Sequence, residues 1–185
     1  MRNRIQTKRL TLRPYVASDG DAVWEVVRRP EIYPTTTSIP KDYPRSRVDW
    51  WFSFQMSARQ HGTGYEYGLF DRETGAYIGH TGLCNVRKDQ RSAVLTYFIH
   101  PELWGRGYAS EAGEAMLALG FGALELMRIG GSCMAKNPAS RRVLLKLGMQ
   151  YEGTGRRELC KDGEYLDVEH FSILFPEWQE QRGME

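Results

Sequence analysis

The chain predicts an α/β domain of the α+β type, with a mixed, mostly antiparallel sheet flanked by helices, and three observations carry that expectation. Three β-branched and aromatic runs, at 65–70, 76–86 and 92–99, are joined by short polar turns and form an antiparallel meander. The last of them passes through Gly105 and Gly107 into a helical pattern. Two later alternating runs, 150–159 and 164–175, flank Lys161-Asp162-Gly163, where Asp-Gly suits a tight hairpin turn. Adding a short strand near the start and another after the glycine helix brings the expected sheet to seven strands.

The remaining elements follow in order. Leu10 and Leu12 alternate with Thr11 and Arg13 and stop at Pro14, giving the first strand. Ser18 or Asp19 caps a helix in which Ala22, Val23, Val26 and Val27 keep helical spacing until Pro30. Prolines at 30, 34, 40 and 44 and the run Thr35-Thr36-Thr37-Ser38 make 30–44 an irregular loop, and loops of that length are commonly functional. A second helix, 46–60, turns Val48, Trp51, Phe52, Gln55 and Met56 to one face. Trp50 and Phe54 lie off that face, where they either line a substrate groove or pack beneath the loop.

From 107 to about 123 a third helix buries Tyr108, Ala112, Met116, Leu119 and Ala123 and points Glu111 and Glu114 outward. Each of its internal glycines costs about 1 kcal/mol relative to alanine; Gly113 suits close packing on the sheet, while Gly120 and Gly122 mark a fraying end. Gly130-Gly131 within strand 128–134 suits a bulge or a close backbone approach. Asn137 caps a fourth helix with Pro138 at its first position, Val143, Leu144 and Leu147 on its apolar face and Gly148 at its end. The domain is expected to span 1–175, followed by a polar tail over 176–185.

Composition narrows the function classes. With 185 residues, 41% hydrophobic and 26% charged, the chain suits one well-buried domain. A net charge of +2 argues against a dedicated nucleic-acid surface, and the basic start (Arg2, Arg4, Lys8, Arg9, Arg13) is taken as solvated. Cys84, Cys133 and Cys160 form no C-x-x-C pair and cannot all be bridged within one chain, which suits a reducing cytoplasm. His61, His80, His100 and His170 fall in no zinc-ligand spacing, so no metal is expected. Neither a signal-peptide core nor a membrane-spanning run is expected.

The chemistry centres on Gly105 and Gly107. Glycines between a strand and a helix allow positive φ and close approach to a ligand, and the free amides of the first helical turn then face an anion. Arg106 between them adds a cation. A Walker A loop is excluded because Gly-Lys-Ser/Thr is missing, and a dinucleotide fold because the next strand ends at Cys133-Met134 without an acid. The run Trp104-Gly105-Arg106-Gly107-Tyr108-Ala109 resembles the acetyl-CoA motif Gln/Arg-x-x-Gly-x-Gly/Ala of the GNAT superfamily of N-acetyltransferases, in the Trp-Gly-x-Gly-Tyr-Ala form of its RimJ/RimL-like branch. Thr7 to Pro14, Asn137-Pro138-Ala139-Ser140, Lys146 to Met149, Asp162-Gly163 and Asp167-Val168 extend the resemblance along the chain.

The resemblance implies a single GNAT domain whose fourth and fifth strands splay apart, with the pantetheine arm of acetyl-CoA along the exposed edge at Tyr97, Phe98 and Ile99. It assigns cofactor binding to Trp104, Gly105, Arg106, Gly107, Tyr108, Ala109, Asn137 and Ser140, while Arg141 and Arg142 either meet phosphates or form a solvated face. The implied activity is acetyl transfer from acetyl-CoA to a primary amine by direct attack in a ternary complex, without metal. Ser140 occupies the position of the branch's proposed thiolate-protonating serine, and is otherwise a polar surface residue. The base is expected at Glu158, with Glu66, His80, Glu152, Asp167 and His170 as competitors; His80 reads as a packing residue. A backbone N–H near Ile99 suits the oxyanion. The favoured acceptor is a protein N-terminal amine of the ribosomal-protein type, and the alternatives are a small-molecule amine (amino acid, polyamine or aminoglycoside) or a non-catalytic CoA-binding sensor. Trp50 and Phe54 with the loop 30–44 would form one side of the acceptor groove and the hairpin at 160–165 the other. The protein is expected in the cytoplasm as a monomer or homodimer, with neither membrane nor nucleic acid as a partner.

Overall fold

The computed structural model describes residues 4–183; Arg2 of the basic start and the last two residues of the expected tail lie outside them. Eight strands form one sheet: β1 (Ile5–Gln6), β2 (Leu10–Arg13), β3 (Tyr65–Asp71), β4 (Tyr77–Arg87), β5 (Ser92–Ile99), β6 (Arg128–Met134), β7 (Gln150–Lys161) and β8 (Glu164–Leu174), in the order β1-β2-β3-β4-β5-β6-β8-β7. The eighth strand, beyond the seven expected, is β1, whose two residues pair with Leu12 and Thr11 and are too short to show a period. Every pairing is antiparallel except β5 with β6.

That parallel pairing is brief. It holds at Ser92↔Arg128, Ala93↔Ile129 and Val94↔Gly130 and then stops. β5 stays with β4 as far as Ile99, whereas β6 follows β8 to Met134↔Val168, so the two strands part as the resemblance implied. The glycine pair makes no bulge, since β6 keeps an unbroken register with β8. Gly131 instead leaves room for α4 (Pro138–Lys146): a Cβ there would stand 2.8 Å from Leu144 Cδ2.

Helices cover both faces. The main core packs the sheet against α3 (Tyr108–Ala118) and α4, through Met116, Leu117, Leu144, Ile129 and Phe171. A smaller cluster lies on the other face between α1 (Gly20–Val27), α2 (Arg45–His61) and the loop that joins them, through Val23, Val26, Ile32, Ile39 and Val48. Val48 and Gln55 of α2 are buried as expected, but Met56 is 61% exposed, because Trp51 and Phe52 fill the contact by packing on Tyr15. Glu111 of α3 is half-buried rather than outward, and Ala123, expected to be buried in the same helix, lies beyond its end and is exposed. Gly113 is close to Leu147 rather than to the sheet, and Gly120 is buried in a π-helical turn (Leu119–Ala123), where a Cβ would meet Ile129 Cδ1 at 2.6 Å. Space, not fraying, accounts for both glycines.

The expected tail is a helix, α5 (Phe175–Gln181). Pro176 in its first turn hid it, yet proline is well tolerated there. Trp178, 8% exposed, packs with Phe121 and Phe175 at ring separations of 5.3 and 6.3 Å. Truncation of such a side chain removes about 3–5 kcal/mol. Trp178→Ala is therefore expected to lower unfolding free energy in urea by about that amount, and a loss below about 1 kcal/mol would mean that α5 is only peripheral.

Candidate active site

Two cavities open where β5 and β6 part. The first, about 430 Å³, is lined by the end of β5, the glycine turn and the start of α4. Gly105 and Gly107 have φ of 76° and 81°, the left-handed region that glycine occupies without a side-chain penalty. No side chain caps α3, which leaves the amides of its first turn without a side-chain partner, and Tyr108, Ala109 and Ser110 of that turn form part of the cavity wall.

Arg9 braces the turn. Its guanidinium donates to the Arg106 carbonyl at 2.9 Å and lies 4.3 Å from the Tyr108 ring centre. The Glu111 carboxylate accepts from Thr7 Oγ1, Arg9 N and Arg9 Nε at 2.6, 2.8 and 2.6 Å. Burial works against that charge, but these hydrogen bonds prevail and hold the carboxyl below its usual range. Sequence reasoning treated Arg9 as solvated and Glu111 as external; the signal missed was the spacing of about one hundred residues between them, which no local pattern encodes.

The edge of β5 supplies the other wall. His100 N donates to Ile78 O at 2.8 Å, and the alternation of antiparallel pairs then turns the N–H groups of Ile99 and Tyr97 away from β4, toward the gap. The indole of Trp104 donates to Ile99 O at 2.8 Å and is pinned against the strand end. Asn137 caps α4 by accepting from Ser140 N at 3.1 Å, and its Nδ2 donates to Thr35 O at 3.0 Å, so one side chain ties the helix to the loop. Of the expected cofactor residues, Tyr97, Phe98, Ile99, Trp104, Gly105, Gly107, Tyr108, Ala109, Asn137 and Ser140 all line the first cavity. Arg106 does not; Arg142 and Lys146, one helical turn apart on α4, are the cations there. Arg141 is paired instead with Glu169, at 3.2 Å.

A second cavity, about 490 Å³, lies on the α2 side of the sheet. Trp50 and Phe54, stacked at 5.5 Å and 61% and 53% exposed, stand at its rim. The opposite wall differs from expectation. Lys161 donates to Tyr33 O and Thr36 O at 2.5 and 2.6 Å and latches the 160–165 hairpin to the loop, so Ser132, Cys133 and Met134 of β6 form that wall. The two cavities share Thr35, Thr36, Tyr97, Phe98 and Ser140.

At this junction the Tyr97 and Ser140 hydroxyls are 2.8 Å apart. Burial raises the Tyr97 pKa, so its phenol stays protonated at neutral pH. Glu158, the expected base, lines neither cavity; it lies near the far end of β7, 2.7 Å from His170 Nε2. The competitors Glu66 and His80 are the ones brought to the second cavity, with Glu66 Oε2 and His80 Nε2 3.2 Å apart and both side chains nearly buried. Among the described residues, no group of three or more His, Cys, Asp or Glu could hold a metal ion, and no helix is long and apolar enough to cross a membrane.

Residues 9–150 match the family model described as an acetyltransferase (GNAT) domain. The chain is 31% identical over 175 residues to the uncharacterized N-acetyltransferase YoaA of Bacillus subtilis, which covers 93% of this chain and 97% of that protein. It is 28% identical over 120 residues to the ribosomal protein uS5-alanine N-acetyltransferase of Escherichia coli, covering 64% of this chain and 62% of that one. The structure of spermidine N-acetyltransferase from Vibrio cholerae, in complex with CoA and spermine, superposes with a TM-score of 0.82 at 21% identity over 93% of this chain and 99% of that one.

The cysteines bear on the chemical route. Burial, with smaller contributions from the Glu66 and Glu169 charges, pushes the Cys84 and Cys133 thiols up to about 11. A raised thiol pKa leaves little thiolate at neutral pH, so neither is poised to take an acyl group. Alkylation by iodoacetamide at pH 7.5, followed by mass spectrometry, is expected to label exposed Cys160 first, with Cys84 and Cys133 gaining reactivity only as pH rises toward 11. Equal labelling of all three at neutral pH would contradict this.

Proposed function

The chain belongs to the GNAT acetyltransferase family and is an acetyl-CoA-dependent N-acetyltransferase, and we propose that its acceptor is the N-terminal α-amine of a protein. The supporting observation is the charge of the second cavity. Its only carboxylate among the described residues is Glu66, already engaged by His80 and Gln55, and Arg47 adds a positive charge to the wall. A polyamine would place several positive charges where one carboxylate waits, whereas a peptide carries one ammonium and offers side chains to the aromatic rim. The relatives include enzymes named for each kind of acceptor, so this chain's own cavity has to decide. An N-terminal amine, with a pKa of about 7.7–8.0, also loses its proton far more readily than a lysine near 10.4.

Acetyl-CoA occupies the first cavity in this account. The amides of Tyr108, Ala109 and Ser110 and the glycine turn receive the pyrophosphate, and Arg142 and Lys146 lie in reach of phosphate. The pantetheine amides satisfy the outward N–H groups of Tyr97 and Ile99 and the Tyr97 carbonyl, since the Ile99 carbonyl is held by Trp104. The amine enters from the second cavity and attacks the thioester carbonyl, whose oxygen gathers negative charge near the Ile99 N–H. The C–S bond then breaks, and the thiolate takes a proton from the Ser140–Tyr97 hydroxyl pair. No acyl-enzyme forms, in keeping with the protonated cysteines.

Three outcomes test this. Thiol release from acetyl-CoA is expected with Ser-, Ala- or Met-starting peptides and not with polyamines or aminoglycosides; turnover of the small amines alone would reverse the assignment, and no turnover at all would favour a CoA-binding sensor. Gly107→Val forces a β-branched residue into left-handed backbone at about 1–3 kcal/mol, so acetyl-CoA affinity by calorimetry should fall by about tenfold or more. Unchanged affinity in a folded variant would remove Gly107 from the phosphate cradle. Ser140→Ala should lower kcat by about 10²–10⁴-fold with acetyl-CoA affinity retained, and turnover within about twofold of wild type would leave protonation to water.

A further inference from the structure

We infer that Glu66 is the group that receives the acceptor's ammonium proton, with His80 and Gln55 as positioning residues; this rests on the assignment of the second cavity to the acceptor. Glu66 Oε2 is held by His80 Nε2 at 3.2 Å and by the Gln55 side-chain amide. Oε1 accepts no hydrogen bond from the described residues, and Glu66 lines the cavity that meets the first one at Phe98. His80 is itself fixed from behind, with the Tyr15 hydroxyl 3.0 Å from Nδ1 and its ring stacked on Phe98 at 5.3 Å.

The backbone makes room for this arrangement. Glu66 is paired across the sheet with Gly82, and His80 with Gly68. A Cβ at Gly82 would stand 2.4 Å from Glu66 Cγ, and one at Gly68 would stand 2.9 Å from a Tyr15 ring carbon. Two glycines opposite these two polar residues leave room for the carboxylate and for the imidazole stacked on the Tyr15 ring.

Chemistry assigns the role. The acceptor arrives as an ammonium, RNH₃⁺, and only its neutral form has a lone pair for the thioester carbon. Glu66 Oε1 first pairs with the ammonium and then takes one proton, directly or through a water. The amine nitrogen bonds to the carbonyl carbon, the C–S bond breaks, the thiolate takes its proton from the Ser140–Tyr97 hydroxyl pair, and the second proton leaves nitrogen as the amide forms and restores that pair. One proton ends on the CoA thiol and the other passes from Glu66 to solvent, which balances the transfer. The other titratable or charged groups around Glu66 are Arg59, on its backbone carbonyl at 3.0 Å, Cys84, held as a thiol, and Tyr15 with Tyr77, both phenols raised by burial. Arg47 stands farther out on the wall. Burial keeps Cys84, Tyr15 and Tyr77 protonated at neutral pH, so none of the three takes the proton in place of Glu66.

Glu66→Gln keeps the shape and removes the base, so the test compares wild type with this variant on primary amines of graded pKa, both peptides and simple amines, from about 5.5 to about 10, a range that brackets the α-amine value. With the more basic amines at pH 7, kcat/KM should fall by about 10²–10⁴-fold, as expected for loss of a general base. The loss should shrink to a few fold for amines already neutral at that pH, while acetyl-CoA affinity stays at the wild-type value. His80→Gln should give a smaller loss of the same form. A deficit equal for all amines would reduce Glu66 to a structural residue, and turnover within about twofold for basic amines would remove it from the reaction. The wild-type ranking of peptides against simple amines judges the acceptor class separately from these ratios.

Discussion

The early end of the β5–β6 pairing is the constraint from which the active site follows. Each strand keeps its antiparallel neighbour and the two lose each other after Val94↔Gly130, so the sheet opens without unravelling. Backbone donors and acceptors are obligatory hydrogen-bonding groups. The separation therefore leaves the outward N–H groups of Tyr97 and Ile99 and the Tyr97 carbonyl available to an amide-bearing ligand, the Ile99 carbonyl being held by Trp104, and the pantetheine arm of acetyl-CoA carries such amides. The wedge is kept from collapsing by α4, seated on Gly131 through Leu144 and joined to β5 by the contact between Ser140 and Tyr97.

The same wedge divides the labour. On one side, the uncapped α3 amides and the cations of α4 favour a phosphate-rich cofactor. On the other stand a nearly buried carboxylate and an aromatic rim, which the proposed function assigns to the acceptor amine. The long loop belongs to both, since Thr35 and Thr36 line each cavity and the loop is tied down by Asn137 and Lys161. Its irregularity is compatible with order because its carbonyls find side-chain partners from distant strands and helices.

How much of this the sequence displayed depends on range. Features set by adjacent residues were legible: the meander, the glycine turn, the Asn137 cap and the Asp162-Gly163 hairpin, where both residues take positive φ. The residues that family resemblance assigned to the cofactor gather around the first cavity, with Arg106 the exception. What stayed hidden was set by contacts between distant segments. The polar run after Pro176 gave no sign that Trp178 would dock on Phe121, and Glu66, His80 and Tyr15 are scattered along the chain until β3 and β4 pair. Glu158 illustrates the opposite hazard, a position carried over from relatives onto a strand whose register shifts between Gly155 and Leu159 and leads the side chain to His170.

Amide hydrogen exchange, resolved by residue and recorded with and without saturating acetyl-CoA, tests the central claim most directly. Pairing of the cofactor with the open edge of β5 predicts that exchange at Tyr97 and Ile99 slows by about tenfold or more, while Thr96 and Phe98, already bonded to β4, change little. Unaltered exchange at Tyr97 and Ile99 in the acetyl-CoA-saturated protein would contradict the account.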